Sequence, residues 1–162
     1  MDQIRIASLN INGGWHDKQA KLVETLEVLR IQVLCIQETN IKKPTSWHQN
    51  FLDKQGWKVI FTPQIEDNVQ DSLKGNKLGL AIIVHSEVFN MVKTVENNKD
   101  WQCVEIFSNE YPSFLLVNMH IKPYSRHKRA TYFLQIKQQI LNPLKQQKKQ
   151  IMLTEILMNI WT

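Results

Sequence analysis

Two short clusters carry the side chains best suited to chemistry: Asn10, Asn12, Gly13 and Gly14 after one candidate strand, and Gln37, Glu38 and Thr39 after the next. Brought together, they would join one carboxylate to several carboxamides. Glu38 would then be a hard oxygen ligand for Mg2+ (or Mn2+), because such ions accept one or two carboxylates completed by water and phosphate oxygens. Asn10 would donate to a phosphate oxygen or hold Glu38 in place. Asn12 would stand beside it on the substrate side. His120, at the end of a later apolar run, adds a ring that can bond a phosphate oxygen. Each residue also has a plainer explanation. Asn-x-Asn-Gly-Gly makes a turn, Glu-Thr-Asn a strand-end loop, and a histidine at a strand end is commonly a satisfied core or loop residue.

The elements that must position these side chains can be read from hydrophobic spacing. The runs Val33 to Ile36, Leu80 to Val84, Phe114 to Val117 and Ile151 to Leu153 are short, branched and nearly unbroken, as strands covered on both faces are. Trp57, Val59 and Phe61 alternate, as do Val104 and Ile106, predicting strands with one wetter face. Ile4 and Ile6 alternate until the phase slips at Ala7-Ser8, where a bulge is expected. Leu22, Leu26 and Leu29 have helical spacing, and so do Phe133, Ile136, Ile140 and Leu144. Asp17 is the candidate cap of the first helix, and Asn142-Pro143 should end or kink the second near Leu141. The predicted order is strand, helix, strand, long loop, four strands, helix, strand. A strand–helix–strand opening favours a parallel pair, and the closely spaced middle strands favour antiparallel pairing. The expectation is a mixed α/β sheet with helices on one face. The parallel pair would bring Asn10 and Glu38 out at the same sheet end, where open α/β sheets usually place their sites.

Ile6-Ala7-Ser8-Leu9-Asn10-Ile11-Asn12-Gly13, followed after one helix by Val33-Leu34-Cys35-Ile36-Gln37-Glu38-Thr39, resembles the opening of the endonuclease/exonuclease/phosphatase (DNase I-like) superfamily. Its nearest likeness is to endonucleases of LINE-type retrotransposons and to abasic-site nucleases. Leu78-Gly79-Leu80-Ala81-Ile82-Ile83-Val84 looks like the family's glycine-led central strand, and Leu116-Val117-Asn118-Met119-His120 extends the likeness over nearly the whole chain. The resemblance implies a four-layer α/β sandwich and metal-assisted phosphodiester hydrolysis. It assigns Glu38 as the principal metal carboxylate, Asn10 to the phosphate and metal shell, and His120 to a position where many members carry histidine. Abasic-site and LINE-type enzymes carry tyrosine there, so His120 weakens a retrotransposon assignment more than the superfamily one.

The pattern fails after Thr154. The family normally continues Gly-Asp-Phe-Asn and later adds a further strand pair and an Asp-His pair; the 162 residues read Glu155-Ile156-Leu157-Met158-Asn159 instead. Written as codons, Thr154 to Thr162 accommodates ACN GAG ATT TTA ATG AAY ATH TGG ACN. One G inserted after the first codon gives ACN GGA GAT TTT AAT GAA, which spells Thr-Gly-Asp-Phe-Asn-Glu. The expectation is therefore residues 1–154 as the front portion of such a domain, with the second sheet largely missing, and 155–162 as an out-of-frame, non-family tail. Such a chain would be weak or inactive. It would also leave an apolar sheet face to be covered by a partner or a missing C-terminal half, or to cause aggregation.

Composition bounds the partners. An apolar share of 43% is ample for one packed core, and the formal charge of +5 permits a polyanion. The charge is unevenly spread, since Tyr111 to Thr154 holds Lys122, Arg126, Lys128, Arg129, Lys137, Lys145, Lys148 and Lys149 and no acid. Lys122, Arg126 and Arg129 are candidate contacts to a nucleic-acid backbone, DNA being the expected partner, because phosphate contacts give affinity without sequence readout. Lys145, Lys148 and Lys149 read as a solvated helix end. Cys35 and Cys103 lie in apolar runs and are too few for a disulfide framework, which favours a reducing, intracellular setting, cytoplasmic or nuclear. No secretion signal or membrane span is expected. Two rival functions share these features: a phosphatase or phosphodiesterase acting on small or lipid phosphates, and a non-catalytic nucleic-acid-binding remnant.

Overall fold

A computed structural model describes residues 3–64, 79–120 and 150–154, together with 130–131, 134–135, 137–138 and 142–146 of the segment between. The chain opens with strand β1 (Ile6–Asn10), helix α1 (Trp15–Leu29) and strand β2 (Val33–Gln37). Helix α2 (Ser46–Lys54) and strands β3 (Trp57–Phe61) and β4 (Leu80–His85) follow. A 3-10 turn (Ser86–Met91) leads into β5 (Val92–Asn97), β6 (Trp101–Ile106) and β7 (Phe114–Met119); a short helix (Asn142–Lys145) and β8 (Gln150–Thr154) complete the described elements.

The strands form two four-stranded mixed sheets, ordered β1-β2-β4-β3 and β5-β6-β7-β8. In the first, β1 and β2 are parallel, as the intervening helix requires, and β2–β4 and β3–β4 are antiparallel. In the second, β5, β6 and β7 are antiparallel neighbours, and β8 joins β7 in parallel. The mixed α/β class is as expected, but the second sheet is not largely missing. Nor is its apolar face left in water, because the two sheets cover one another.

Alternation along β2 and β4 explains the layers. Leu34, Ile36, Ala81 and Ile83 face the helices and pack with Trp15, Leu22, Val23, Leu26 and Leu52. Val33, Cys35, Ile82 and Val84 face the other way, onto Val104, Ile106 and Leu116 of the second sheet. Both faces of these strands are thus dry, and a fully buried side chain such as Ile36 or Ile82 contributes roughly 1.5–3 kcal/mol. A third cluster, Cys103, Leu115, Val117 and Met119, lies on the outer face of the second sheet. It corrects the expectation of a wet face on β6, where Cys103 and Glu105 are also buried.

Four further expectations are corrected. The long loop contains α2, whose first turn is closed by a capping box in which the Thr45 N–H donates to His48 Nδ1 at 3.0 Å. Strand β5 was not foreseen, because it is a polar edge strand. No bulge interrupts Ala7-Ser8; the register shift falls at Thr94/Glu96. Gly14, in the left-handed region, caps α1, and Asp17 sits inside its first turn. The second helical stretch from Phe133, the loop from Asp67 to Asn76 and the tail from Glu155 lie outside the described residues, apart from the fragments named above. Among the described residues no helix is long and apolar enough to cross a membrane.

Candidate functional site

Parallel pairing fixes the site's frame. Asn10 lies opposite Gln37 in register, and beyond the strands the Ile11 N–H donates to the Gln37 carbonyl at 3.1 Å and the Gly13 N–H to the Glu38 carbonyl at 2.7 Å. The first loop is therefore held against the second. Asn12 (φ 54°), Gly13 (φ 69°), Gly14 (φ 71°), Glu38 (φ 57°) and Asn40 (φ 55°) all occupy the left-handed region, as does Gly79 (φ 86°) leading into β4. A Cβ on Gly13 would collide with the Asn40 amide and one on Gly79 with Thr39 Oγ1, so both glycines let neighbouring backbone press against the Glu38 loop. The Thr39 N–H donates to the Gly79 carbonyl at 3.1 Å, completing that clamp. Left-handed geometry on a residue such as Glu38 costs on the order of 1–3 kcal/mol and persists only when its surroundings impose it.

The side chains then converge from both sheets. Ile6 packs between the sheets while Ala7 packs toward the helices, so the inward row of β1 runs Ile6, Ser8, Asn10. The inward row of β7, Phe114, Leu116 and Asn118, likewise runs on to His120. Glu38 is 2% exposed, and its Oε1 lies 3.3 Å from His120 Nε2. Asn10 Oδ1 accepts the Asn12 N–H at 3.0 Å, which fixes the amide's orientation and leaves Asn10 Nδ2 buried with no hydrogen-bond partner among the described residues. That orphaned donor calls for an acceptor, and a phosphate oxygen would meet the need.

Behind these groups runs a polar network that sequence reasoning missed. Gln37 Nε2 donates to Ser8 Oγ at 3.0 Å and to Asn118 Oδ1 at 2.8 Å. Asn118 Nδ2 is within reach of the carbonyls of Ile36 (3.1 Å) and Ala81 (3.0 Å) and of Gln102 Oε1 (3.1 Å), three acceptors sharing two protons. Gln102 Nε2 continues to the Ile60 carbonyl at 2.8 Å and to Asn97 Oδ1 at 3.1 Å. Gln37, Gln102 and Asn118 are fully buried, and the bonds from Gln37 to Asn118, from Asn118 to the Ile36 and Ala81 carbonyls and from Gln102 to the Ile60 carbonyl tie one sheet to the other through a low-dielectric interior. The available signal was a lone carboxamide in each apolar strand, at Gln37, Gln102 and Asn118.

Of the sequence-derived candidates, Asn10, Glu38 and His120 gather, and Asn12 lies exposed on the adjoining turn. Lys122, Arg126 and Arg129 lie outside the described residues. Neither cysteine joins the site: both are buried, and burial, reinforced by Glu105 and Glu96, pushes the Cys103 thiol up to about 11. Among the described residues no three His, Cys, Asp or Glu side chains cluster as a metal cage would require. One hard carboxylate with amide donors beside it fits a magnesium-type ion completed by water and phosphate, and does not fit a structural zinc site.

Two mixed sheets packed face to face, helices over one of them and a carboxylate–imidazole pair at the strand ends define an α/β sandwich of the DNase I-like class. Residues 7–153 match the Endonuclease/Exonuclease/phosphatase family, and the chain belongs to it. The fold resembles the human Nocturnin catalytic domain, solved with bound sulfate, at a TM-score of 0.64 and 18% identity, covering 94% of this chain and 63% of that one. It also resembles an AP endonuclease from Archaeoglobus fulgidus (TM-score 0.56, 17% identity, 94% and 56% covered). The endonuclease domain of TRAS1, a telomere-specific non-LTR retrotransposon, is similar too (TM-score 0.55, 12% identity, 94% and 58%). The chain thus spans about three fifths of the length of these structures. A search of the curated proteins finds no match.

Proposed function

We propose that this chain carries the metal-side half of an endonuclease-type site that hydrolyses phosphodiesters in nucleic acid. The observation that carries the reading is the convergence of Asn10 and Glu38 from parallel strands with His120 from the facing sheet, 3.3 Å from Glu38. The family is generally dependent on divalent metal, and Glu38 would hold Mg2+ (or Mn2+) here, where the ion would polarise phosphoryl oxygens and steady the leaving oxygen. Asn10 Nδ2 would donate to a phosphate oxygen, and His120 would add its ring N–H to the developing charge, both held in place before substrate arrives. The clamp of Gly13 and Gly79 on the Glu38 loop supplies that rigidity.

The residues that would activate water, the family's Gly-Asp-Phe-Asn and Asp-His elements, do not occur in the 162 residues. The proposal is accordingly that residues 1–154 are the front portion of the domain and that cleavage by this chain is weak or nil. DNA is the favoured substrate: the opening motif and the folds of the TRAS1 and AP endonuclease domains support it, while His120 in place of tyrosine argues against a strictly LINE-type enzyme. The test is magnesium-dependent cleavage of plasmid and abasic-site DNA by the 162-residue chain and by a chain with the repaired frame, each with Glu38→Ala. The repaired chain should cleave and lose activity with Glu38→Ala. Robust cleavage by the 162-residue chain would overturn the half-site reading, and cleavage indifferent to Glu38 would overturn the site itself. Sequencing the coding DNA across the codon for Thr154 tests the shifted tail directly.

A further inference from the structure

The turn that positions Asn10 and the loop that positions Glu38 lead into α1 and α2, and the first turns of those helices bring four rings, Trp15, His16, Trp47 and His48, together beside Phe61 of β3. Trp15 Nε1 donates to the His48 carbonyl at 2.9 Å, tying α1 to α2. Trp15 packs edge-on against Phe61 with centroids 5.1 Å apart, and Phe61 ends β3 in register with Ala81, the neighbour of Gln37's partner Leu80. The cluster therefore stands at the same end of the first sheet as Glu38. Its outer layer is unlike its inner one. His16 lies against Trp47 with centroids 3.5 Å apart and planes tilted at 42°, yet Trp47 remains 62% exposed.

A large ring with an imidazole against it and most of its surface in solvent suits a planar partner, because the neighbour restricts the ring and the exposed surface leaves room for a second one. Its surroundings select the chemistry of that partner. From Asn40 to Lys54 the chain carries Lys42, Lys43, His48 and Lys54 against the one acid Asp53, which pairs with Lys58 at 3.3 Å; on α1, Asp17 lies between His16 and Lys18. Lys18 Nζ is held by the carbonyls of Ile11 and Gly13, which places this cation against the Asn10 turn. A flat π-face at the start of α2, with Lys42 and Lys43 on the segment that leads into it, matches a nucleobase with its phosphates. An apolar protein surface would not call for the lysines.

We infer that Trp47, backed by His16, is a stacking platform for one unpaired base of a nucleic-acid strand whose backbone lies toward Glu38. The inference rests on the nucleic-acid reading given above, and it adds a subsite on helix α2. Phe51, one turn further along α2 and 39% exposed, would extend the same face.

The test is a titration of the 162-residue chain into a single-stranded oligonucleotide containing 2-aminopurine, in metal-free buffer so that turnover plays no part. Stacking on Trp47 should quench the probe. Trp47→Ala should weaken binding about tenfold and remove most of the quenching, whereas Trp47→Phe should stay within about threefold, because base stacking needs a ring and not a particular one. The slope of affinity against salt should be the same in all three, since no phosphate contact is lost. Unchanged affinity and quenching in Trp47→Ala would overturn the platform, as would failure of the native chain to bind the oligonucleotide. Sedimentation showing that Trp47→Ala instead breaks a self-associated species would assign the face to a second copy. Binding that depends on Trp47 without cleavage in the repaired chain would leave the platform standing while the hydrolytic reading fell.

Discussion

Between the two sheets, the end lined by Val33, Val84, Val88 and Ile106 is held by aliphatic packing, whereas the end lined by Ser8, Gln37, Gln102 and Asn118 is held by side-chain amides. Aliphatic packing is non-directional and tolerates small shifts; a chain of amides fixes one geometry and is costly when any member lacks its partner. The directional end is the one that carries Asn10, Glu38 and His120. The difference suggests that the amides set the spacing between the sheets on which the 3.3 Å approach of His120 to Glu38 depends.

Substitutions two residues apart on β7 would test that contrast with the largest effects. Leu116→Ala removes a fully buried side chain from the aliphatic end and should cost about 2–5 kcal/mol, as cavity-forming substitutions do. Asn118→Leu keeps the volume roughly constant but leaves the Gln37 and Gln102 amides short of a partner, for a loss of about 1–3 kcal/mol. Urea unfolding of both variants is the measurement. An Asn118→Leu protein as stable as the native one would show that the network contributes nothing a plain core would not.

The same contrast explains what was legible in the sequence. β2 and β4 could be read as buried strands because each carries a nearly unbroken apolar run, Val33 to Ile36 and Leu80 to Val84, and the parallel pairing of β1 with β2 followed from the helix between them. Which strands join which sheet could not be read from the residue pattern, and only the family resemblance implied a sandwich, because strands buried on both faces look alike whichever sheet they join and pairing is a non-local property. Helix α2 escaped notice since Leu52 is its one fully buried side chain, so no apolar stripe repeats, and its capping box uses His48 where Glu or Gln is usual. Asn10, Glu38 and His120 were legible through a family motif. Gln102 was not, since a carboxamide inside a strand signals nothing until its partners on other strands are known.

Backbone strain offers a second comparison, between a glycine that the site needs and a carboxylate that the fold does not. Gly79→Ala forces a Cβ into Thr39 at φ 86° and should cost about 1–3 kcal/mol. Glu38→Gly places a permissive residue at φ 57°, a gain set against the lost contact with His120, so stability should change by less than about 1 kcal/mol while metal-dependent cleavage in the repaired chain disappears. Thermal melts of the pair read this directly. A marked loss of stability in Glu38→Gly would mean that Glu38 is there for the fold.

The smallest expected effect lies where α2 meets α1, and pH is the probe. Burial, with His16 adding to it, holds His48 below the usual imidazole range. Protonation would also remove the Nδ1 lone pair that accepts the Thr45 N–H and closes the first turn of α2. A histidine whose value is lowered by folding binds its proton more readily in the unfolded chain. Its stabilising contribution is therefore complete above the ordinary value near 6.5 and is lost as pH falls through the lowered one. The melting temperature should drop as pH falls below about 6.5, more in the native chain than in His48→Gln, which keeps an acceptor but cannot take the proton. Equal slopes in the two proteins would place the pH sensitivity elsewhere. A slope that reverses sign, with stability rising on acidification, would mean that His48 gains an anionic partner and that the capping arrangement is not the one that forms in solution.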